Sequence, residues 1–222
     1  MSRLSAFRAA FIGVLALGLA ACGINSVPTK EEAAKARWAD VQSAYQRRAD
    51  LVPNLVSTVR GAAASEESIL TQVIQARAAA TQTQINADQL NDPQAFQRFE
   101  QAQGQLGSAL SRLMVVVERY PELQSQQRFA DLMVALEGTE NRIDNARTRY
   151  NEAVQDYNTT IRTFPDAIGA NIIHGAEPME TFSAQPGAEI APTVDFGDSA
   201  TPAAAPANDN SGMQQPRTGT QN

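Results

Sequence analysis

Residues 129–164 read FADLMVALEGTENRIDNARTRYNEAVQDYNTTIRTF, and the spacing of six side chains in that stretch decides the fold. Phe129, Leu136, Ile143, Tyr150, Tyr157 and Phe164 recur every seven residues with no proline among them. On a helix of ~3.6 residues per turn this repeat forms one apolar seam that drifts slowly round the axis, and only another long helix can bury it. Met133, Val154 and Ile161 widen the seam in a companion frame, but Glu140 and Arg147 occupy that same frame. The stretch therefore predicts a long packed helix with a polar middle. Taken from Pro121 to Thr163 it would span roughly 60 Å, a rod with no obvious place for a deep pocket.

Upstream, Trp38, Tyr45, Val52 and Val59 keep the same interval, with Val41, Leu55, Ala62 and Ile69 beside them. One frame holds across Pro53. A proline inside a helix removes one hydrogen bond and crowds the carbonyl four residues back, here Ala49, so a kink or restart is expected at Leu51 to Pro53. The periodicity then continues through Val73 and Ile74 to about Ala80, giving either one bent helix or two nearly in line. Residues 78–91 are polar and aperiodic. Asn91-Asp92-Pro93 reads as a helix start, with Asp92 as N-cap and Pro93 in the first turn. Phe99, Leu106, Leu113 and Tyr120 carry a third seam, flanked by Phe96, Leu110 and Val117, with Gln103 as its polar exception. Tyr120-Pro121 breaks this helix and favours an antiparallel hairpin with the next. The fold class is all-α: an elongated antiparallel bundle of three to four long helices.

The N-terminus reads as an export signal. Arg3 and Arg8 precede an apolar run from Ala9 to Ala21. The run is about 13 residues, short of the ~20 that a comfortable membrane span needs. Leu19-Ala20-Ala21-Cys22 resembles the lipobox of bacterial lipoproteins, which implies cleavage before Cys22 and acylation of its thiol. Acyl chains contribute ~0.8 kcal/mol per buried methylene, so several would anchor the chain firmly. Gly23 stands where the lipoprotein resemblance would put an inner-membrane retention residue, which favours the outer membrane. Cys22 is the only cysteine, so no intrachain disulfide forms and stability must come from packing. Residues 1–21 are thus the signal, 22–29 a tether and 30–168 the bundle. Residues 169–222 hold a short packing segment and a tail. Six of the eleven prolines lie beyond Ala176, and large apolar residues become rare there. Glu177 to Asn222 is expected to stay mostly disordered.

Two longer motifs carry a family resemblance. Gln46-Arg47-Arg48-Ala49-Asp50-Leu51-Val52-Pro53-Asn54-Leu55-Val56 comes first, followed by Thr58 to Gly61. Leu136-Glu137-Gly138-Thr139-Glu140-Asn141-Arg142-Ile143 comes second, continuing through Tyr150-Asn151, Tyr157-Asn158 and Phe164-Pro165. In this order, with Tyr120-Pro121-Glu122-Leu123, they resemble the LemA family across about Trp38 to Ala167. The resemblance implies an elongated helical bundle, usually held by an uncleaved N-terminal helix that a lipobox replaces here. It implies no enzymatic activity.

Candidate chemistry is sparse. Net charge is -6 with no basic surplus, which gives nucleic acid no footprint. His174 is the lone histidine; without a cysteine partner it reads as a loop residue before it reads as a ligand. Glu137 and Glu140 lie on neighbouring turns, but a di-metal bundle site also needs Glu-x-x-His from facing helices. No catalytic residue, metal or cofactor is assigned. Asp50 to Asn54 reads first as a helix kink and second as a surface recognition element. Arg48, Glu140 and Arg147 stand in seam positions. Arg48 or Arg147 is expected to pair with Glu140 across the bundle, because an unpaired buried charge costs several kcal/mol; snorkelling at the stripe's edge is the bland alternative. The chain reads as a non-enzymatic envelope scaffold, held to the membrane through lipidated Cys22 and facing the periplasm, with other envelope proteins as partners. A lipid or small-molecule binder using an interhelical groove is the second reading, and a metal-dependent enzyme the third.

Overall fold

A computed structural model describes residues 2–183, with side chains from Asn25 onward. The described residues are all-α, and the longest helices pack antiparallel. Helix α1 runs Ser2–Ala62, α2 Glu67–Gln82 and α3 Pro93–Val117. A single turn, α4, spans Pro121–Gln124, followed by α5 over Gln127–Thr160 and a second single turn, α6, over Asp166–Gly169. Two 3-10 turns, Ala64–Glu66 and Ala87–Gln89, link the helices, and a π turn covers Ala170–His174.

The seams meet as their spacing demands. Trp38, Tyr45, Val52 and Val59 are buried on α1, Phe99, Leu106 and Leu113 on α3, and Phe129, Leu136, Ile143, Tyr150 and Tyr157 on α5. Asp92 caps α3 as expected: its Oδ1 accepts from the backbone N–H of Gln94 at 2.9 Å and of Ala95 at 3.2 Å. The interior divides into two apolar cores. One is aromatic and joins Trp38, Tyr45, Phe96, Phe99, Tyr150 and Tyr157; the other is aliphatic and joins Val52, Val59, Leu70, Leu106, Leu113 and Leu123, with Phe129.

Several expectations are corrected. No restart occurs at Pro53, because α1 runs through it to Ala62. The carbonyl that Pro53 deprives of its helical partner, Ala49 O, instead accepts from Arg77 Nε of α2 at 2.8 Å. The chain reverses further on, at the alanine run, so α2 folds back beside α1 rather than continuing in line. There Leu70 and Val73 join the aliphatic core with Val52 and Val59. Pro121 to Thr163 is not one helix either. A break at Ser125–Gln126 separates α4 from α5, and α5 stops at Thr160, leaving Phe164 exposed beyond the seam.

The packed region also extends past both expected ends. Val27, assigned to a tether, is fully buried in the aromatic core inside α1. Residues 177–183, assigned to the tail, return along α5. Gly175 turns the chain with a φ of 54°, a left-handed conformation open to glycine without strain. Met179 and Phe182 then bury themselves in the aromatic core. The rest of the tail, from Ala184, lies outside the described residues.

Candidate functional site

Each seam is interrupted by polar side chains, and the helices bring Arg48, Gln103 and Glu140 to a single level. Arg48, only 5% exposed, reaches across from α1. Its Nη1 donates to Glu140 Oε1 of α5 at 3.1 Å, and its Nη2 donates to Gln103 Oε1 of α3 at 2.9 Å and to the Gln103 carbonyl at 3.2 Å. Gln103 Nε2 in turn donates to Ala80 O of α2 at 3.2 Å. Four helices are thus tied by one chain of hydrogen bonds lying between the two cores. The Tyr45 ring faces the Arg48 guanidinium at 5.1 Å, adding a cation–π contact. Arg48 Nε is buried with no hydrogen-bond partner.

The members of this layer differ in weight. The Glu140 side chain is 47% exposed, so its charge is partly solvated and screened, whereas Gln103 is 7% exposed. The neutral partner therefore carries more of the burden of holding Arg48 inside. Arg147, the other expected partner of Glu140, goes elsewhere: its guanidinium lies 4.6 Å from the Phe182 ring and donates to Ser183 O at 3.3 Å. Glu100, half-buried on α3, has its carboxyl pushed up from the usual range by burial, and the positive charge of Arg147 opposes that shift.

A second arrangement holds the returning segment. Asn151 Nδ2 donates to Phe182 O and Asn151 Oδ1 accepts from Phe182 N, both at 2.9 Å; Asn158 makes the same two bonds to Met179 at the same distance. Tyr150 and Tyr157 donate their phenols to Glu180 O at 2.9 Å and Glu177 O at 3.1 Å. The match is metric. Seven helical residues advance ~10.5 Å and three extended residues ~10 Å, so amides seven apart on α5 meet backbone groups three apart on the segment. Burial pushes the hydroxyls of Tyr150 and Tyr157 above the ordinary tyrosine range, as befits phenols kept protonated and donating, and does the same to Tyr45. This clamp was missed from sequence, although its signal, a Tyr-Asn pair repeated after seven residues, stands in plain view.

The remaining candidates disperse. Glu137 is exposed on α5, while His174 lies beside Glu31, Lys35 and Tyr157 in a shallow cavity of about 240 Å³. Glu140 and Tyr157 are separated by ~25 Å of helix, so Glu140 and His174 share no site. Among the described residues no three His, Cys, Asp or Glu side chains gather as metal ligands would. Asp50 and Asn54 are exposed around the Pro53 position. A groove of about 250 Å³ between α1, α2 and α3 is lined by Gln42, Tyr45, Gln46, Thr81, Gln84 and Gln103, somewhat below the ~300 Å³ at which ligand pockets usually begin. At Cys22 only the backbone is described, within α1.

Residues 37–196 match the model of the LemA family. The chain belongs to the LemA family. Curated relatives include magnetosome protein MamQ of Magnetospirillum gryphiswaldense, 29% identical over 178 residues covering 73% of this chain and 65% of that protein. Magnetosome proteins MamQ 1 and MamQ 2 of Paramagnetospirillum magneticum are each 30% identical over 157 residues, covering 64% of this chain and 58% of theirs. This LemA chain thus spans less than two thirds of the length of these relatives. Both LemA motifs have structural work in it: the first supplies Arg48 and the Ala49 carbonyl, the second Glu140 and the Tyr-Asn clamp.

Proposed function

We propose that this LemA protein is a membrane-anchored, non-enzymatic scaffold of the cell envelope, lipidated at Cys22, facing the periplasm and offering its outer helical faces to other envelope proteins. The single observation that supports it is the use of the polar interior. The charged and amide side chains drawn inward bond one helix to the next, so their hydrogen-bonding capacity is spent on holding the bundle together. Relatives named as magnetosome proteins support the membrane-associated part of the reading. The Leu-Ala-Ala-Cys sequence supports the lipid anchor, and Gly23 favours the outer membrane.

Two experiments test it. Palmitate labelling should be lost in Cys22→Ala, and retention of label would remove the anchor. A photo-crosslinking residue placed at Val115 or Val134, both exposed on the helices, should capture one recurring envelope protein in intact cells. A smear of unrelated adducts, or none, would remove the scaffold. The groove beside Gln103 favours a second reading, a small-molecule binder. A ligand released from the purified chain in native mass spectrometry and lost in Gln46→Ala would support that reading instead.

A further inference from the structure

Phe164, Ile168, Ile172 and Ile173 are 74%, 51%, 78% and 57% exposed. They come from the turn after α5, from α6 and from the π turn, so four large apolar side chains crowd into one short stretch at one end of the helices. Exposed Ile74, Val115 and Val134 instead belong to separate helices, and single apolar residues on a surface need no explanation. Packing does not account for the cluster either. Gly169 and Ala170 are the buried members of this stretch, and Ala170 shares the aromatic core with Val27.

Its neighbour on α1 identifies what it meets. Ser26 Oγ donates to Asp166 Oδ1 at 2.7 Å, which fixes the cluster at the level of Ser26. One layer further along, Lys30 pairs with Asp156 at 2.7 Å, so α5 runs toward that same end. Four residues before Ser26 is Cys22, and the apolar run from Ala9 to Ala21 lies immediately upstream in the same helix. With an acylated Cys22 holding the chain, the bilayer begins within ~6 Å of the Ser26 level along the helix axis. An apolar cluster held there has hydrocarbon within reach, and removing its apolar surface from water stabilises the inserted state. We propose that Phe164, Ile168, Ile172 and Ile173 form a membrane-seating surface that inserts into the lipid interface beside the N-terminal anchor and stands the bundle end-on. Exposed Arg162, at the edge of the cluster, suits anionic headgroups. The inference rests on the anchored reading proposed above and adds an orientation to it.

The test uses the full chain reconstituted into phosphatidylcholine–phosphatidylglycerol vesicles, with flotation reporting the anchor independently. Trp38, the only native tryptophan, is 1% exposed and provides a constant background. Ile172→Trp places an indole in the cluster, and Val134→Trp places one on α5 about 40 Å of helix before its end at Thr160. Both sites are exposed, and a cooperative melt for each variant verifies folding. With brominated acyl chains the added emission of Ile172→Trp should fall roughly twofold, as an interfacial depth of ~5–10 Å implies, while that of Val134→Trp stays unchanged. Flotation without quenching at residue 172 overturns the seating surface and leaves the anchor standing. Quenching at both sites means that the bundle lies flat, which also overturns it. Protection of residue 172 that grows with protein-to-lipid ratio assigns the cluster to a second copy instead. Failure to float removes the anchored reading and this inference with it.

Discussion

The two cores bury their side chains to the same depth but are built from different materials. The aliphatic core is closed almost wholly by helices: α1, α2, α3 and α5 supply its walls, Leu123 of α4 seals it, and Ala63 of the link after α1 is its one non-helical buried member. The aromatic core is not closed by helices. Trp38 lies 5.2 Å from Phe99, 5.3 Å from Tyr150 and 6.0 Å from Phe182, and Phe182 comes from the extended segment held by α5. Large rings leave gaps that another helix is too wide to fill, and a single extended strand fits. The end built from rings therefore depends on a clamp, whereas the end built from leucine and valine depends on shape alone.

Trp38→Ala tests that difference most severely. It removes the ring that touches four others and the N–H that donates to Ile85 O at 3.1 Å. The expected cost is about 3–5 kcal/mol, read from urea unfolding. Hydrogen exchange should also speed up in residues 177–183, which lose their seat. Leu113→Ala in the other core should cost about 2–5 kcal/mol and leave that exchange slow. If Leu113→Ala released the segment equally, the two cores would be one cooperative unit.

Gln103→Leu attacks the border between the cores. It takes one acceptor from Arg48 and the donor from Ala80 O, leaving a buried guanidinium with the Gln103 carbonyl and a half-exposed carboxylate. The expected loss is about 1–3 kcal/mol in urea unfolding, and Gln103→Glu, which keeps an acceptor for Arg48, should recover part of it. A neutral result would mean that Arg48 finds water easily and that the layer is ornamental.

The clamp should respond to single amides and to alkali. Asn151→Ala or Asn158→Ala removes two backbone hydrogen bonds at a partly buried site, for about 1 kcal/mol each, and local exchange should report the loss before global unfolding does. The pH dependence has a definite sign. Tyr150 is held protonated above its ordinary value of 10.0, chiefly by burial. The unfolded chain therefore releases that proton first, and the contribution of Tyr150 is complete below the ordinary value and is lost as pH rises through the folded one. The urea midpoint should fall above pH ~10, and Tyr150→Phe should flatten that fall. An unchanged slope in Tyr150→Phe would assign the alkaline loss to Tyr45 and Tyr157.

How much of this was legible in the sequence depends on the kind of interaction. The seams were, because burial follows a period that can be counted, and so was the Asp92 cap, a local device of three residues. The polar layer was half legible: Arg48, Gln103 and Glu140 stand out as exceptions, but the choice of Arg48 over Arg147 depends on axial offset between helices, which no single seam encodes. The reversal at Ala63 was not legible, since an alanine run suits a continuing helix as well as a turn. Nor was the clamp, because residues 177–183 look like a tail until the spacing of Asn151 and Asn158 is set against extended backbone. Pro53 is instructive in another way. Its effect on Ala49 O follows from covalent geometry, yet the result is a bond from Arg77 in place of a break.

Glu140→Gln should have the smallest effect and is the finest probe of the border. An amide oxygen can still accept from Arg48 Nη1, so the geometry survives and only the opposite charge is lost. With the carboxylate 47% exposed, that charge is worth about 0–1 kcal/mol, and salt should shrink the difference further. A loss of several kcal/mol would mean that Glu140, not Gln103, keeps Arg48 inside and that the layer is electrostatic at heart. A loss within the small range that vanishes in high salt would place the holding power in the neutral amide. Arg48→Met should then be better tolerated alongside Gln103→Leu than alone, since the pair removes donor and acceptor together where one change strands its partner.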